Sequence, residues 1–267
     1  MGFRQSSLHP WTRRVRDALA GRFSARPPRS QRVYRVDVDG LSLKRVIFPD
    51  AHQAAQVAAR LRAFGATGLY PALLLERERE VWVEYIEGVP LRLDDATVDG
   101  LARWLAQLNK RSPRRVALED TAWMHALEVD LGFLGDVGVL SPPRVSQLRQ
   151  WAHEVAPDHV WLGHDCCDFI LKNFVRTPEG RIRAVDVESL GADQLLGSGA
   201  AKATLRWLGG SRERFLGVLR SEAVPDYLRD FRFIELAFVA FWTKSSYLEG
   251  KRRFVDARHF ERFLAES

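Results

Sequence analysis

The chain of 267 residues carries 40 lysines and arginines against 34 acids, a formal charge of +6, and 46% of its residues are hydrophobic. This length and composition exclude disordered and fibrous proteins and predict a globular protein with a substantial core. Eight of the cations and one of the acids lie within residues 1–33, so the remaining 234 residues have a formal charge of −1. A body this close to neutral argues against a nucleic-acid-binding protein, and we expect no nucleic-acid partner.

Two features of the chain predict its compartment. Cys166 and Cys167, the two cysteines, are adjacent and cannot crosslink a secreted fold, which favours a reducing compartment. No stretch of the sequence is apolar for long enough to span a bilayer. We therefore expect a cytoplasmic protein, whose oligomeric state the sequence leaves open.

The first 31 residues are predicted to form a basic amphipathic arm. Within residues 10–23, Trp11, Val15 and Leu19 recur at helical spacing, and arginines occupy much of the rest of the helical wheel. Two interpretations stay open for this arm. It is either a solvated start of the chain or a contact with an anionic membrane surface, which would place the protein at the inner membrane face.

Residues 32–88 are rich in predicted strands and form the first predicted lobe. An Asp39-Gly40 turn joins two arms of β-branched and aromatic residues, which predicts a hairpin. Residues 50–64 then have the apolar spacing of a helix. Two further strands are predicted at residues 71–75 and 81–86.

Residues 89–267 are predicted to form a second, mainly helical lobe, since Gly88 and Pro90 mark a connector before it. Helical periodicity covers residues 93–110, 119–136 and 143–156, and it returns from residue 199 to the end. Short strands interrupt the helices at Val160–Leu162 and within residues 173–187. The order predicts an α+β fold in which a small antiparallel sheet is followed by a helical lobe.

Three side chains near the short strands have the spacing that phosphoryl transfer requires. Asp168 stands five residues before Asn173, and Asp186 follows thirteen residues later. One carboxylate can orient or deprotonate an attacking hydroxyl, while an amide oxygen and a second carboxylate can hold Mg²⁺ on a triphosphate. We therefore predict Asp168 as the catalytic base and Asn173 and Asp186 as the metal ligands. Glu188 is either an additional carboxylate of the metal site or a solvated or salt-bridged loop acid.

A second group of residues, further upstream, is suited to bind a nucleotide. The apolar segment that ends at Glu84 leads into a polar connector, which offers backbone groups beside an apolar slot for an adenine ring. Lys44, on the second arm of the hairpin, is the predicted contact with the α- and β-phosphates.

Five segments, taken in order, resemble the aminoglycoside phosphotransferase and choline-kinase-like group of the protein-kinase-like fold. They are LSLKRV around Lys44, EYIEGVPL (84–91), LARWLAQLN (101–109), DFILKNFV (168–175) and AVDVESL (184–190). The first lobe and the arginine-rich start are also similar, more distantly, to bacterial lipopolysaccharide-core sugar kinases.

This resemblance implies a bilobal protein-kinase-like fold, with ATP and Mg²⁺ as cofactors and a hydroxyl of a small molecule or an envelope sugar as the acceptor. It implies the same roles for the residues predicted above and adds adenine contacts from the backbone of Glu84 and Ile86. A protein substrate is disfavoured, because Val-Glu rather than Phe-Gly follows Asp186.

Two departures from the pattern of this group bear on whether the chain is active. Cys166 stands where a histidine is expected, and no acid that could pair with Lys44 occurs from Ala51 through Leu75. These departures keep a second interpretation open, in which the chain is a pseudokinase or a nucleotide-binding scaffold without phosphotransfer activity.

Overall fold

The computed structural model describes residues 31–223 and 225–264. The predicted arm, with its membrane contact through residues 10–23, lies outside the described residues. Within the described part of the chain, no helix combines the length and apolar character needed to cross a bilayer. The described residues fall into two compact units. The first runs up to Leu91 and includes Lys172–Leu190, and the second contains Arg92–Leu171 and the residues from Gly191 onward.

The strands in the described residues are β1 (Arg32–Val38), β2 (Leu41–Ile47), β3 (Leu73–Arg77), β4 (Glu80–Glu84), β5 (Val89–Pro90), β6 (Arg114–Ala117), β7 (His159–Cys166), β8 (Phe174–Arg176), β9 (Ile182–Ala184) and β10 (Leu190–Leu195). The helices are α1 (Ala51–Phe64), α2 (Asp95–Asn109), α3 (Trp123–Asp136), α4 (Pro142–Val155), α5 (Ser198–Arg206), α6 (Arg212–Glu222), α7 (Phe231–Leu248) and α8 (Glu261–Leu264).

The first unit is built on a four-stranded antiparallel sheet in the order β1-β2-β4-β3. Its predicted hairpin is confirmed: β1 and β2 pair through Val38 and Leu41, on either side of the Asp39-Gly40 turn. Both turn residues have positive φ, 49° at Asp39 and 82° at Gly40, the backbone conformation that a two-residue turn of this kind needs. The hairpin thus fixes the register of β2, the strand that carries Lys44.

Helix α1 packs against the sheet with the apolar face that the sequence predicted. Asp50 caps its first turn by accepting a hydrogen bond from the backbone N–H of Gln53 at 2.8 Å. The helix buries Ala54, Val57, Ala58, Leu61 and Phe64. Because α1 contacts both β3 and β4, this burial holds the strand that leads into the connector.

The hairpin of β8 and β9 belongs to the first unit, although the sequence analysis counted residues 89–267 as the helical lobe. Its contacts explain the difference, since β5 pairs with β8 and the N–H of Ala184 donates to the backbone oxygen of Leu69 at 2.9 Å. At Gly88 an added Cβ would stand 2.7 Å from the backbone oxygen of Arg176, so this close approach needs glycine. The division between the units falls at Leu91, three residues beyond the predicted connector.

The second unit contains helices α2 to α8 and a three-stranded sheet in the order β10-β7-β6. Its core includes a cluster of four aromatic rings, Trp104, Phe169, Trp207 and Phe215, with centroids about 6 Å apart. Phe169 is fully buried in this cluster, and the indole N–H of Trp207 donates to its backbone oxygen at 2.8 Å. The residue before Phe169 is Asp168, so the core anchors the loop that carries it.

Candidate active site

Lys44 is held in place within the first unit by the segment that carries Asp186. It lies on β2 opposite Val83, and its ammonium group donates to the backbone oxygen of Val185 at 2.5 Å. Burial lowers the pKa of Lys44, while the charges of Asp186 and Glu188 oppose this change. The structure therefore brings the predicted phosphate-binding lysine and a predicted metal ligand together.

Glu188 is an acid that lies close enough to Lys44 to interact with it electrostatically, whereas α1 offers no acid. The side chain of Gln53 is exposed, and that of Gln56 hydrogen bonds to His52. Glu188 instead is half-buried, and burial, together with the charge of Asp186, raises its pKa to about 7, with Lys44 acting in the opposite direction. Its half-burial excludes a fully solvated loop acid, and the metal-site and salt-bridged roles of Glu188 both stay predictions. Glu188 is 144 positions from Lys44 in the sequence, so no local pattern could have paired them.

Asp186 begins a short turn that fixes its own backbone. Its Oδ1 accepts a hydrogen bond from the N–H of Glu188 at 3.2 Å, and its backbone oxygen accepts one from the Ser189 hydroxyl at 2.7 Å. Asn173 is brought to the same segment, because its backbone oxygen accepts from the N–H of Val185 at 2.8 Å. Both predicted metal ligands thus lie on neighbouring backbone segments of the first unit.

The chemistry of these side chains fits Mg²⁺. Asn173, Asp186 and Glu188 offer amide and carboxylate oxygens, which are the ligands that Mg²⁺ prefers, and the two carboxylates repel each other in the absence of a cation. Among the described residues, no group of three or more histidines, cysteines or acids is arranged to hold a metal by itself. Mg²⁺ commonly binds through one or two carboxylates and completes its shell with phosphate oxygens and water.

A cavity of about 310 Å³ in the first unit contains Lys44 and both residues predicted to contact adenine. Glu84, Tyr85 and Ile86 form one part of its lining, with apolar side chains from Val33, Val175 and Val185 among the others. The backbone N–H of Glu84 donates to Ala72 at 3.0 Å, so an adenine contact from Glu84 would use its carbonyl oxygen. The cavity has the mixture of apolar walls and a few polar groups that is typical of ligand sites.

The side chain of Glu84 has a structural role that the sequence did not predict. Arg183 on β9 donates to both of its carboxylate oxygens, at 2.6 and 2.8 Å, and also to the backbone oxygens of Gly68 and Tyr70 at 2.9 Å. The hydrogen bonds from Arg183 are the main reason that the pKa of Glu84 is lowered. This two-pronged pair ties the end of β4 to the β8–β9 hairpin and so stabilises the wall of the cavity.

Asp168 lies in the second unit, in the loop after β7. Its Oδ1 accepts a hydrogen bond from the ammonium group of Lys202 at 2.5 Å, and Lys202 also donates to the backbone oxygen of Cys167 at 3.1 Å. The Lys202 side chain is 14% exposed and that of Asp168 is 39% exposed, so the carboxylate can be reached from solvent. Sequence reasoning missed Lys202, because it lies 34 positions away on α5.

A buried carboxylate, Asp165, lies at the end of β7, just before this loop. Its Oδ1 accepts from the N–H of Cys166 at 2.7 Å, and its Oδ2 accepts from the N–H groups of Gly197 at 2.9 Å and Gly199 at 3.2 Å. At Gly199 an added Cβ would stand 2.6 Å from Asp165 Oδ1, so only glycine allows α5 to begin this close. Asp165 therefore joins the end of β7 to the start of the helix that carries Lys202.

We expect Asp165 to make stability depend on pH. Burial raises its pKa from 3.8 to about 6, although its three backbone donors act in the opposite direction. Between these two pH values the folded state holds a proton that the unfolded chain has released. The free energy of unfolding therefore falls by up to about 3 kcal/mol as the pH rises from about 4 to about 6, and then levels off. In urea unfolding at several pH values, the free energy of unfolding of the wild type should fall over this range relative to that of Asp165→Asn, which has no carboxyl group to titrate. A wild-type minus variant difference that does not change with pH would contradict this assignment.

Comparisons with known proteins identify solved structures that share the fold of this chain. No family model and no curated protein matches the chain. The choline kinase LicA from Streptococcus pneumoniae is 14% identical, with a TM-score of 0.59 over 96% of this chain and 98% of that chain. A macrolide 2'-phosphotransferase type I is 13% identical, with a TM-score of 0.56 over 97% of this chain and 98% of that chain.

A third similar structure contains a nucleotide. It is a thermostable mutant of the aminoglycoside phosphotransferase APH(4)-Ia in a ternary complex with ADP and hygromycin B, 15% identical, with a TM-score of 0.61 over 90% of each chain. These matches extend over nearly the whole length of both partners. They confirm the predicted fold class: the chain has the α+β protein-kinase-like fold that these choline, macrolide and aminoglycoside phosphotransferases share.

Proposed function

We propose that the chain is an ATP- and Mg²⁺-dependent phosphotransferase that acts on a hydroxyl of a small molecule. The observation that carries the proposal is the setting of Lys44, which is hydrogen bonded to Val185 beside Asp186 and Glu188 and lines a cavity with Glu84 and Ile86. A lysine beside two carboxylates and an apolar slot supplies the elements that a bound nucleotide and its metal require. The three solved structures described above, which share this fold at 13–15% identity, are two phosphotransferases and a choline kinase.

Each predicted residue has a role in this proposal. The carbonyl of Glu84 and the N–H of Ile86 would contact adenine, and Lys44 would bind the phosphates. Asn173 and Asp186 would hold Mg²⁺, which when bound neutralises charge on the phosphates, and Glu188 would add a carboxylate beside them.

In the proposed reaction, Asp168 orients the acceptor hydroxyl and receives its proton. A bond forms between the acceptor oxygen and the γ-phosphorus of ATP, and the bond to the bridging oxygen breaks, leaving its electron pair on ADP. Lys202 keeps Asp168 in one orientation through their ion pair. Positioning and electrostatic stabilisation would supply most of the rate.

Two finer parts of the proposal concern the acceptor and the location. An envelope sugar of the lipopolysaccharide type is one candidate acceptor. A cationic, amphipathic arm at residues 10–23 would suit an enzyme that meets such a substrate at the inner membrane face.

The experiment that tests the proposed function follows ADP release from Mg²⁺-ATP, first with water alone and then with a panel of hydroxyl compounds. We expect slow hydrolysis without an acceptor and faster ADP release with at least one compound, together with a product that is heavier by one phosphoryl group. ATP binding without any ADP release would contradict phosphotransfer and favour the nucleotide-binding scaffold. The charge of Glu188 close to Lys44 supports phosphotransfer over that alternative.

A further inference from the structure

A group of basic and aromatic side chains lies beside Asp168 in the second unit. Lys202 and Arg206 stand one helical turn apart on α5, and Lys202 is paired with Asp168. The guanidinium of Arg206 lies 3.9 Å from the ring centroid of Phe254 and 5.0 Å from that of Trp242. We call Lys202, Arg206, Trp242, Arg253 and Phe254 the basic–aromatic cluster.

Two arginines of this cluster share one aromatic ring. The guanidinium of Arg253 lies 4.5 Å from the centroid of Phe254, which also carries Arg206. Burial and then the charge of Arg253 lower the pKa of Arg206, whereas the charge of Asp168 opposes this change. Arg206 is therefore close enough to both groups to interact with them electrostatically.

No acid within residues 31–223 and 225–264 forms an ion pair with Arg206 or Arg253. The same unit does place an acid between two arginines elsewhere. The buried carboxylate of Glu235 pairs with both Arg212 and Arg262. That arrangement needs no ligand, whereas Arg206 and Arg253 lie beside the same ring without an acid between them, and both can therefore pair with an anion.

We propose that the acceptor of the phosphoryl group carries an anionic group of its own, a phosphate or a carboxylate, which Arg206 and Arg253 bind while Asp168 orients the hydroxyl. This inference rests on the proposed function. Guanidinium groups stacked on an aromatic ring are already oriented for the paired hydrogen bonds that phosphate and carboxylate accept. A cationic acceptor such as choline would instead meet the positive charges of Arg206 and Arg253.

Four hexoses that differ mainly in charge test this inference: glucose 6-phosphate, glucuronate, glucose and glucosamine. Their binding is measured by titration calorimetry, both with the non-hydrolysable ATP analogue AMP-PNP and Mg²⁺ and without nucleotide. We expect at least one of the two anionic hexoses to bind about tenfold or more tightly than glucose, and glucosamine to bind most weakly. A preference for phosphate over carboxylate, or the reverse, identifies the anionic group.

Variants connect the binding to the cluster. Arg206→Gln and Arg253→Gln should each weaken binding of the preferred anionic hexose about tenfold and leave binding of glucose unchanged. Arg220→Gln is the matched control, since Arg220 is an exposed arginine on α6 in the same unit. Circular dichroism and thermal unfolding of each variant show whether it is folded.

Three outcomes would overturn the inference: equal binding of all four hexoses, tightest binding of glucosamine, or anion binding that survives in both arginine variants. Failure of the proposed function gives a different result. In that case AMP-PNP would not bind, while the titrations without nucleotide would still report on the anion site.

Discussion

Replacing Asp168 with asparagine is expected to lower kcat about a thousandfold and to change the affinity for ATP by less than about threefold. Asparagine keeps the size of the side chain but cannot accept the hydroxyl proton, and it loses the ion pair with Lys202. The nucleotide cavity lies in the first unit and contains none of the loop that carries Asp168, so ATP binding should persist. The measurement is steady-state kinetics of ADP release together with calorimetric titration of ATP.

Asp193→Asn is the matched control for this prediction. Asp193 is another acid of the second unit, with a 75% exposed side chain and an ion pair to Arg114 on the surface. Its replacement should leave kcat within about twofold, since exposed ion pairs contribute little. If Asp168→Asn turned over ATP and acceptor as fast as wild type, Asp168 would not be the catalytic base.

The second large effect is expected at Lys44. Lys44→Met should lower kcat/KM for ATP about a hundredfold, because methionine fills the space of the stem without binding phosphate. It also removes the cation that stands beside Asp186 and Glu188. We therefore expect the variant to need a lower Mg²⁺ concentration for half-maximal activity, since Lys44 no longer opposes the attraction of the ion to the two carboxylates.

Lys110→Met provides the comparison for Lys44. Lys110 is an exposed lysine at the end of α2. The control should behave as wild type in both kcat/KM and Mg²⁺ requirement. An unchanged kcat/KM for ATP in Lys44→Met would remove Lys44 from the phosphate-binding site and with it the main support for a nucleotide in this cavity.

The elements that could be predicted from the sequence are those determined by neighbouring residues. The Asp39-Gly40 turn forces positive φ at two adjacent positions, and the apolar face of α1 repeats every three to four residues, so both were recognisable locally. Strand β6 was missed because it exists through its pairing with β7, in which Arg114 lies opposite Leu162. Strand β10 was missed for the same reason, as its place in the sheet depends on β7.

In the candidate site, too, the residues that are near one another in sequence could be predicted and their distant partners could not. Asp168, Asn173 and Asp186 could be proposed from their spacing, because few residues separate them. Their partners come from distant parts of the chain: Lys202 is 34 positions from Asp168, and Arg183 is 99 positions from Glu84. Long-range ion pairs depend on how elements pack, and a single sequence carries no periodic signal for them.

Thermal unfolding with ATP, in the presence and absence of Mg²⁺, is the most direct test of the nucleotide and metal site on which this account depends. At about a hundred times the Kd, ATP with Mg²⁺ should raise the Tm of the wild-type protein by about 5 °C or more, and ATP alone should raise it much less. In Asp186→Asn, most of the additional rise in Tm that depends on Mg²⁺ should be lost. A Tm that is the same with and without ATP and Mg²⁺ would contradict the account.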